Sequence, residues 1–157
     1  MMITQAANSA VSWRTTRKQR NDAMIAAVAD VVAASHSWVY AVSSQEQDIL
    51  HAIATHVTDE QRQEKLESSR ASVYAAQLDY GSAIARVRLT SPKRVASAAE
   101  DVTGALQDFE ATCRAKVSTA LAGQGVADSA TKPIDVNPHI DRLVKEARKA
   151  AGYGPAA

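Results

Sequence analysis

Apolar side chains recur along most of the chain at every third or fourth position, which is the period of an α-helix. This spacing predicts a first helix over residues 3–42, a second over 59–89, a third over 92–122 and a last over 138–151. Residues 13–20 interrupt the apolar pattern because they are polar all round. We therefore expect the first turns of the first helix to project beyond the core or to be frayed there.

Several short signals mark where helices begin and end. Ser43 and Ser44 each have a Glu or Gln three residues later, as in a capping box, which predicts a break near this pair and then a restart. A kink in one longer helix is the alternative. Thr58 begins a second box of the same kind. Ser91 is expected to cap the third helix and Pro92 to take its first position, where no amide donor is needed.

The third helix has the clearest pattern, a near-heptad series of apolar residues along one face. We expect the large members of this seam to form either the core or a surface for self-association. They are Val95, Val102, Leu106, Phe109 and Val117.

Composition agrees with a helical protein. Only 4% of the residues are aromatic, and six glycines and four prolines interrupt the 157 positions, which favours long helices over a sheet. Gly81, inside the second helix, indicates a close helix contact or a bend, and Gly123 is expected to end the third helix.

Amphipathic helices bury their apolar stripes against one another, so the sequence predicts an all-α antiparallel bundle of four to five helices. The N-terminal helix is expected to be long, and a short C-terminal helix follows a loop. We expect residues 1–122 to form the bundle with its basic N-terminal segment and residues 123–136 to be a loop or linker. Residues 137–152 are then a C-terminal helix packed on the bundle, and residues 153–157 a tail.

The most apolar window, residues 23–42, is about long enough to span a bilayer, but it contains Asp30 and His36. A charged residue near the centre of an isolated span costs roughly 2.5–3.5 kcal/mol. A buried bundle helix is therefore favoured. No secretory signal pattern is found at the N-terminus, and we expect a cytoplasmic protein that can associate with a membrane.

No candidate catalytic group is better explained by chemistry than by structure. Cys113 lies on the apolar seam, where a small core residue is expected rather than a nucleophile. His51 and His56 are five positions apart and match neither the zinc-protease nor the di-iron spacing. We therefore expect no enzyme activity, no metal site and no cofactor. An enzyme with a cofactor that leaves no sequence signal is the remaining alternative.

A basic run near the N-terminus is the feature that stands out, although the formal net charge is only +1. It consists of Trp13, Arg14, Arg17, Lys18 and Arg20. Such a run fits an anionic membrane surface, nucleic acid phosphates or an acidic partner protein, and it is also typical of a solvated helix face. A second group of cations lies on the last helix, where cations also complement the helix dipole.

A resemblance adds to this picture. Residues 80–100 read YGSAIARVRLTSPKRVASAAE, in which a long helix ends in an Arg-rich apolar turn, a proline opens the next helix and a V-x-x-A-A run follows. This stretch resembles uncharacterised actinobacterial or actinophage helical-bundle proteins, and residues 143–152 are similar to their terminal helix. Many of those proteins have an N-terminal membrane span before a Trp/Arg-rich stretch like residues 13–20, and that span is not found here.

The resemblance implies a helical bundle from a GC-rich bacterial or phage source and no particular activity. It implies a soluble member of the group, a phage-borne relative or a chain cut after the span. From the residues, we expect a non-enzymatic adaptor or partner-binding protein, at or near the inner membrane face, that uses the basic run. Self-association is a further expectation. Nucleic-acid binding through the two basic clusters is the alternative, and it is less favoured because acidic residues lie between them.

Overall fold

The computed structural model describes residues 2–55, 58–122 and 134–153, with side chains from residue 13 onward. These residues form four helices and confirm the predicted all-α bundle: α1 is Met2–Ala54, α2 is Asp59–Thr90, α3 is Lys93–Leu121 and α4 is Asn137–Ala151. As predicted, the N-terminal helix is long and the short C-terminal helix comes after a connecting segment. Gly123 and most of the expected loop lie outside the described residues.

The predicted break near Ser43–Ser44 is wrong, because α1 runs through it without interruption. Val42 and Ile49 lie on either side of this point and are both buried, 2% and 8% exposed, so the apolar stripe continues in helical register. Glu46 forms an ion pair with Lys116 on α3 at 3.4 Å. Contacts to neighbouring helices on both sides of the serines therefore outweigh the local capping preference.

The ends of the other helices follow the sequence signals to within about a residue. Thr58 caps α2 as predicted, since its hydroxyl accepts a hydrogen bond from the amide of Gln61. At α3, however, Pro92 itself is the N-cap residue and Ser91 ends α2. The expected Ser91 cap is wrong because Ser91, which precedes a proline, adopts an extended conformation (φ −111°, ψ 152°), and its amide bonds to the carbonyl of Val87.

The start of α4 is displaced by one residue in the opposite direction. Val136 is the N-cap and Asn137 is already helical. The carboxylate of Asp135 accepts a hydrogen bond from the backbone N–H of Asn137 at 3.0 Å. At the other end, Gly152 has φ +85°, the left-handed conformation that favours glycine after a helix.

Polar pairs between helices define the topology. Asp30 pairs with Arg86 at 2.7 Å, near the N-terminal end of the α1 core and the C-terminal end of α2, so these two helices are antiparallel. Trp38 and Glu46 on α1 contact Glu110 and Lys116 on α3, which shows that α1 and α3 are parallel.

The core lies between these helices and contains mostly aliphatic side chains. Of the seam residues on α3, Val95, Val102 and Leu106 are fully buried, and Phe109 packs against the core from a half-buried position. Val117 is also half-buried. Gly81 is exposed, and a Cβ there would meet no atom within 4 Å, so it marks no close helix contact.

The two halves of the bundle have different numbers of helices. Asn21 of α1 donates a hydrogen bond to the carbonyl of Ala151 at the end of α4, and Arg142 pairs with Asp101 of α3. With 15 residues, α4 covers only about 22 Å of bundle length. The half that contains the C-terminal part of α1 therefore has three helices, and no described residue takes the fourth position.

Candidate interaction surfaces

The basic run lies in an exposed segment of α1 before the core, called here the basic arm (residues 13–20). All eight side chains are exposed. From residue 13 onward, where side chains are described, Met24 is the first buried residue of α1, and the side chain of Asn21 donates a hydrogen bond to the carbonyl of Ala151 on α4. Because α1 is continuous, the arm is a helical extension of the core helix.

The charged side chains of the arm lie on one side of it. At about 100° per residue, the five residues of the run fall within about 160° of the helix circumference. They are Trp13, Arg14, Arg17, Lys18 and Arg20. The guanidinium carbon of Arg17 lies 5.4 Å from the centre of the Trp13 ring, in a cation–π arrangement, and the ring is still 62% exposed.

The second group of cations, on α4, is partly neutralised by acidic neighbours. Arg142 pairs with Asp101 at 2.7 Å, and Lys149 pairs with Glu146 at 2.9 Å. The hydrogen bond from Lys149 lowers the pKa of Glu146. Lys145 and Arg148 are exposed. The basic arm is therefore the more strongly cationic of the two surfaces.

A groove between α2 and α3, called here the α2–α3 groove, lies in the three-helix half. Its cavity is about 480 Å³. Most of its apolar lining comes from one face of each of three helices: Val42 and Ile49 of α1, Leu66 and Val73 of α2, and Val117 and Leu121 of α3. Gln77 and Glu110, which are hydrogen-bonded to each other at 2.7 Å, line one end of the cavity.

Glu110 connects three helices at this end of the groove. One carboxylate oxygen accepts the indole N–H of Trp38 at 2.9 Å and the amide of Gln77 at 2.7 Å. The other oxygen accepts from Arg114 at 2.7 Å. The Trp38 ring also makes an edge-on contact with Tyr80, with centroids 5.3 Å apart. Both oxygens of Glu110 thus accept hydrogen bonds from side chains of the protein, and two of these bonds join α3 to α1 and α2.

Cys113 is buried beside the groove. Burial, followed by a hydrogen bond with Glu46, raises the pKa of the thiol to about 12. Burial likewise raises the pKa of Tyr80 to about 12. A thiol in this state is the opposite of an activated nucleophile, which needs a lowered pKa.

The remaining candidate chemistry is also sparse. His36 and His51 are exposed and His139 is half-buried, whereas His56 lies outside the described residues. Among the described residues, no group of three or more His, Cys, Asp or Glu side chains could hold a metal ion.

One helix of the described chain, α1, is long and apolar enough over Trp13–Ala54 to cross a membrane. The core helix of a soluble protein can have the same properties, and the apolar stripe of α1 packs into the core. No family model, curated protein or solved structure matches the chain.

Sequence reasoning found the basic arm and missed the groove. A groove of this kind depends on how far two helices separate, which periodicity does not record. One signal was available in the sequence. Glu110 falls on the apolar stripe formed by Leu106, Cys113 and Val117, and a carboxylate buried at such a position needs hydrogen-bond donors from neighbouring helices.

Proposed function

We propose that the protein is a non-enzymatic helical interaction protein that binds an acidic surface of a partner protein through the basic arm. The observation that carries the proposal is the exposure of residues 13–20 on a helix that continues into the core. A rigid helical arm loses less conformational entropy on binding than a flexible tail with the same charges.

The arm combines Trp13 with three arginines and a lysine, and this mixture supports a protein partner. Tryptophan and arginine are the side chains most enriched among residues that dominate protein–protein binding energy. Arg17 already lies over the Trp13 ring, so a planar cation and an aromatic face are presented together.

An anionic lipid headgroup layer is a second source of negative charge, and it would place the protein at the inner membrane face. Each cation near such a surface contributes roughly 1 kcal/mol. Nucleic acid is the alternative function. It is less favoured because two of the four cations on α4 already pair with carboxylates of this chain.

The test compares two variants that remove the same charge. The arm variant changes Arg14, Arg17, Lys18 and Arg20 to Gln. The control changes four exposed cations elsewhere to Gln, namely Lys65, Lys93, Lys145 and Arg148. We expect both to keep wild-type far-UV circular dichroism, and only the arm variant to lose the partner in pull-downs from nuclease-treated lysate at moderate salt.

Other outcomes would change the proposal. Equal binding by the arm variant and the wild type would remove the arm from the mechanism. Recovery of nucleic acid alone, with an affinity that falls with salt at a logarithmic slope of up to about −4, would favour the nucleic-acid function. Arm-dependent co-sedimentation with phosphatidylserine vesicles and no protein partner would favour the membrane surface.

A further inference from the structure

We propose a second binding site in addition to the arm: the α2–α3 groove binds one amphipathic helix of another protein, with acidic side chains along its two flanks. The site uses residues on the opposite end of the bundle from the arm. The inference therefore does not depend on the function proposed for the arm.

The shape of the groove corresponds to a missing fourth helix. Its walls extend over residues 66–77 of α2 and 110–121 of α3, about 16 Å or three helical turns on each side. α1 forms the floor with Val42 and Ile49. In the other half of the bundle α4 supplies a fourth helix, and here no described residue does. An amphipathic helix that lies in a groove between two helices is a common mode of peptide recognition.

The mouth of the groove exposes apolar and aromatic surface. Tyr74 on one wall is 62% exposed and Leu121 on the other is 57% exposed. Both belong to the same lining as the buried floor. Apolar surface that continues from a buried floor to an exposed mouth is typical of a binding groove.

The charges of the groove indicate the chemistry of the occupant. Its two acidic side chains are already paired, Glu46 with Lys116 and Glu110 with Arg114, and both are largely covered, at 17% and 14% exposed. The cations at the mouth are accessible. Arg114 remains 76% exposed in spite of its ion pair.

Arg70, on the opposite wall, is also exposed, and no acidic side chain of the described residues lies within ion-pair distance of it. Because Gln77 meets Glu110 across the antiparallel walls, Arg70 and Arg114 lie about one turn apart along the groove. A helix in the groove would thus have a cation on each side, and acidic residues on its flanks would pair with them.

A second copy of this chain fits the groove less well. Of the helical segments whose side chains are described, the one that lies outside the core of its own copy is the basic arm, and its cations would meet Arg70 and Arg114 as like charges. Apolar faces of the four helices are already used in the core of the copy that owns them.

The test is a display selection from a library of 14-residue helical peptides, in which the positions of one face vary among apolar residues and the flanking positions among Glu, Gln and Lys. The full-length arm variant is the bait, so that the arm cannot select binders. We expect enriched peptides to carry Glu on both flanks. In fluorescence anisotropy measurements, Arg70→Glu should weaken the binding of these peptides about tenfold. Replacing Glu by Lys on the flank of the peptide that lies nearer residue 70 should restore part of that affinity.

Two further variants separate a binding effect from a folding effect. Leu121→Glu changes an exposed residue of the mouth and should also weaken binding, whereas Lys65→Glu, an exposed position of α2 outside the lining, should not. Enrichment of basic or neutral flanks, no enrichment at all, or binders that tolerate both Arg70→Glu and Leu121→Glu would overturn the proposal. The proposal for the arm fails separately, because it is tested by the arm variant and a partner from the cell.

Discussion

Removal of the Glu110 carboxylate should destabilise the protein far more than removal of another paired glutamate on the same helix. Glu110→Ala eliminates the hydrogen bonds that join α3 to Trp38 of α1 and to Gln77 of α2. Hydrogen bonds to a charged group contribute about 1.5–3 kcal/mol each, and a buried donor left without an acceptor adds to the loss.

The size of the effect depends on how well water can replace the carboxylate. Trp38 is only 6% exposed, although it lines a cavity with Gln77 and Glu110, so water would replace the lost acceptor of its indole N–H only in part. Gln77 is half-buried at the groove, where water can reach its amide. The ion pair with Arg114 adds little because the guanidinium is mostly solvated. We expect a loss of about 2–4 kcal/mol, which corresponds to a fall of roughly 5–15 °C in Tm for a chain of this size.

Glu100→Ala is the matched control. Glu100 also lies on α3 and its ion pair with Arg88, at 2.6 Å, is shorter than any that Glu110 makes, but both side chains are about half exposed. If the length of the ion pair decided its contribution to stability, Glu100 would contribute more than Glu110. We expect its removal to leave the urea midpoint unchanged within error, since exposed ion pairs contribute little to stability.

Urea denaturation in a Trp13→Phe background measures both variants, by far-UV circular dichroism and by the fluorescence of the remaining Trp38. Glu110→Gln should fall between the wild type and Glu110→Ala, because it keeps an acceptor and loses the charge. Equal midpoints for Glu110→Ala and Glu100→Ala would refute the reasoning that burial, and not distance, decides the contribution of these carboxylates.

The glycines and the buried thiol give two further predictions. Gly81→Ala and Gly104→Ala should each raise the free energy of unfolding by about 1 kcal/mol, because both positions are helical with open space for a Cβ. Gly152→Ala should lower it by about 1 kcal/mol because of its φ of +85°. Urea midpoints that shift in the same direction for all three variants would contradict this reasoning. Cys113 should resist Ellman's reagent until the chain unfolds. Rapid labelling of the native protein would contradict the burial. The native pKa of Cys113, about 12, lies above that of an unfolded thiol, about 8.5, so stability should fall as the pH rises above about 8.5. Cys113→Ala should flatten that part of the plot of urea midpoint against pH.

Local signals predicted the boundaries of α2, α3 and α4 to within one or two residues, because caps, prolines and a terminal glycine act over a single turn. The break at Ser43–Ser44 was predicted by signals of the same kind and is absent. There the flanking residues have partners on other helices, such as Lys116 for Glu46, and tertiary contacts outweighed the serine preference.

The two candidate surfaces differ in the same way. The basic arm is a property of eight consecutive residues, so its charge can be read directly from the sequence. The α2–α3 groove needs the relative positions of three helices and the length of a fourth. Glu110 lies at one end of the groove, and its position on an apolar stripe is the one sign of this tertiary arrangement in the sequence.

The continuity of α1 also gives the molecule a fixed length scale. Trp13, on the arm, and Val42, on the floor of the groove, belong to the same unbroken helix and are separated along its axis by about 44 Å. A flexible linker would allow two bound molecules to be separated by any distance up to its extended length. A continuous helix instead holds them at one distance and at one relative angle. If both surfaces are occupied, the protein is a molecular spacer whose dimension is set by the number of residues in a single helix.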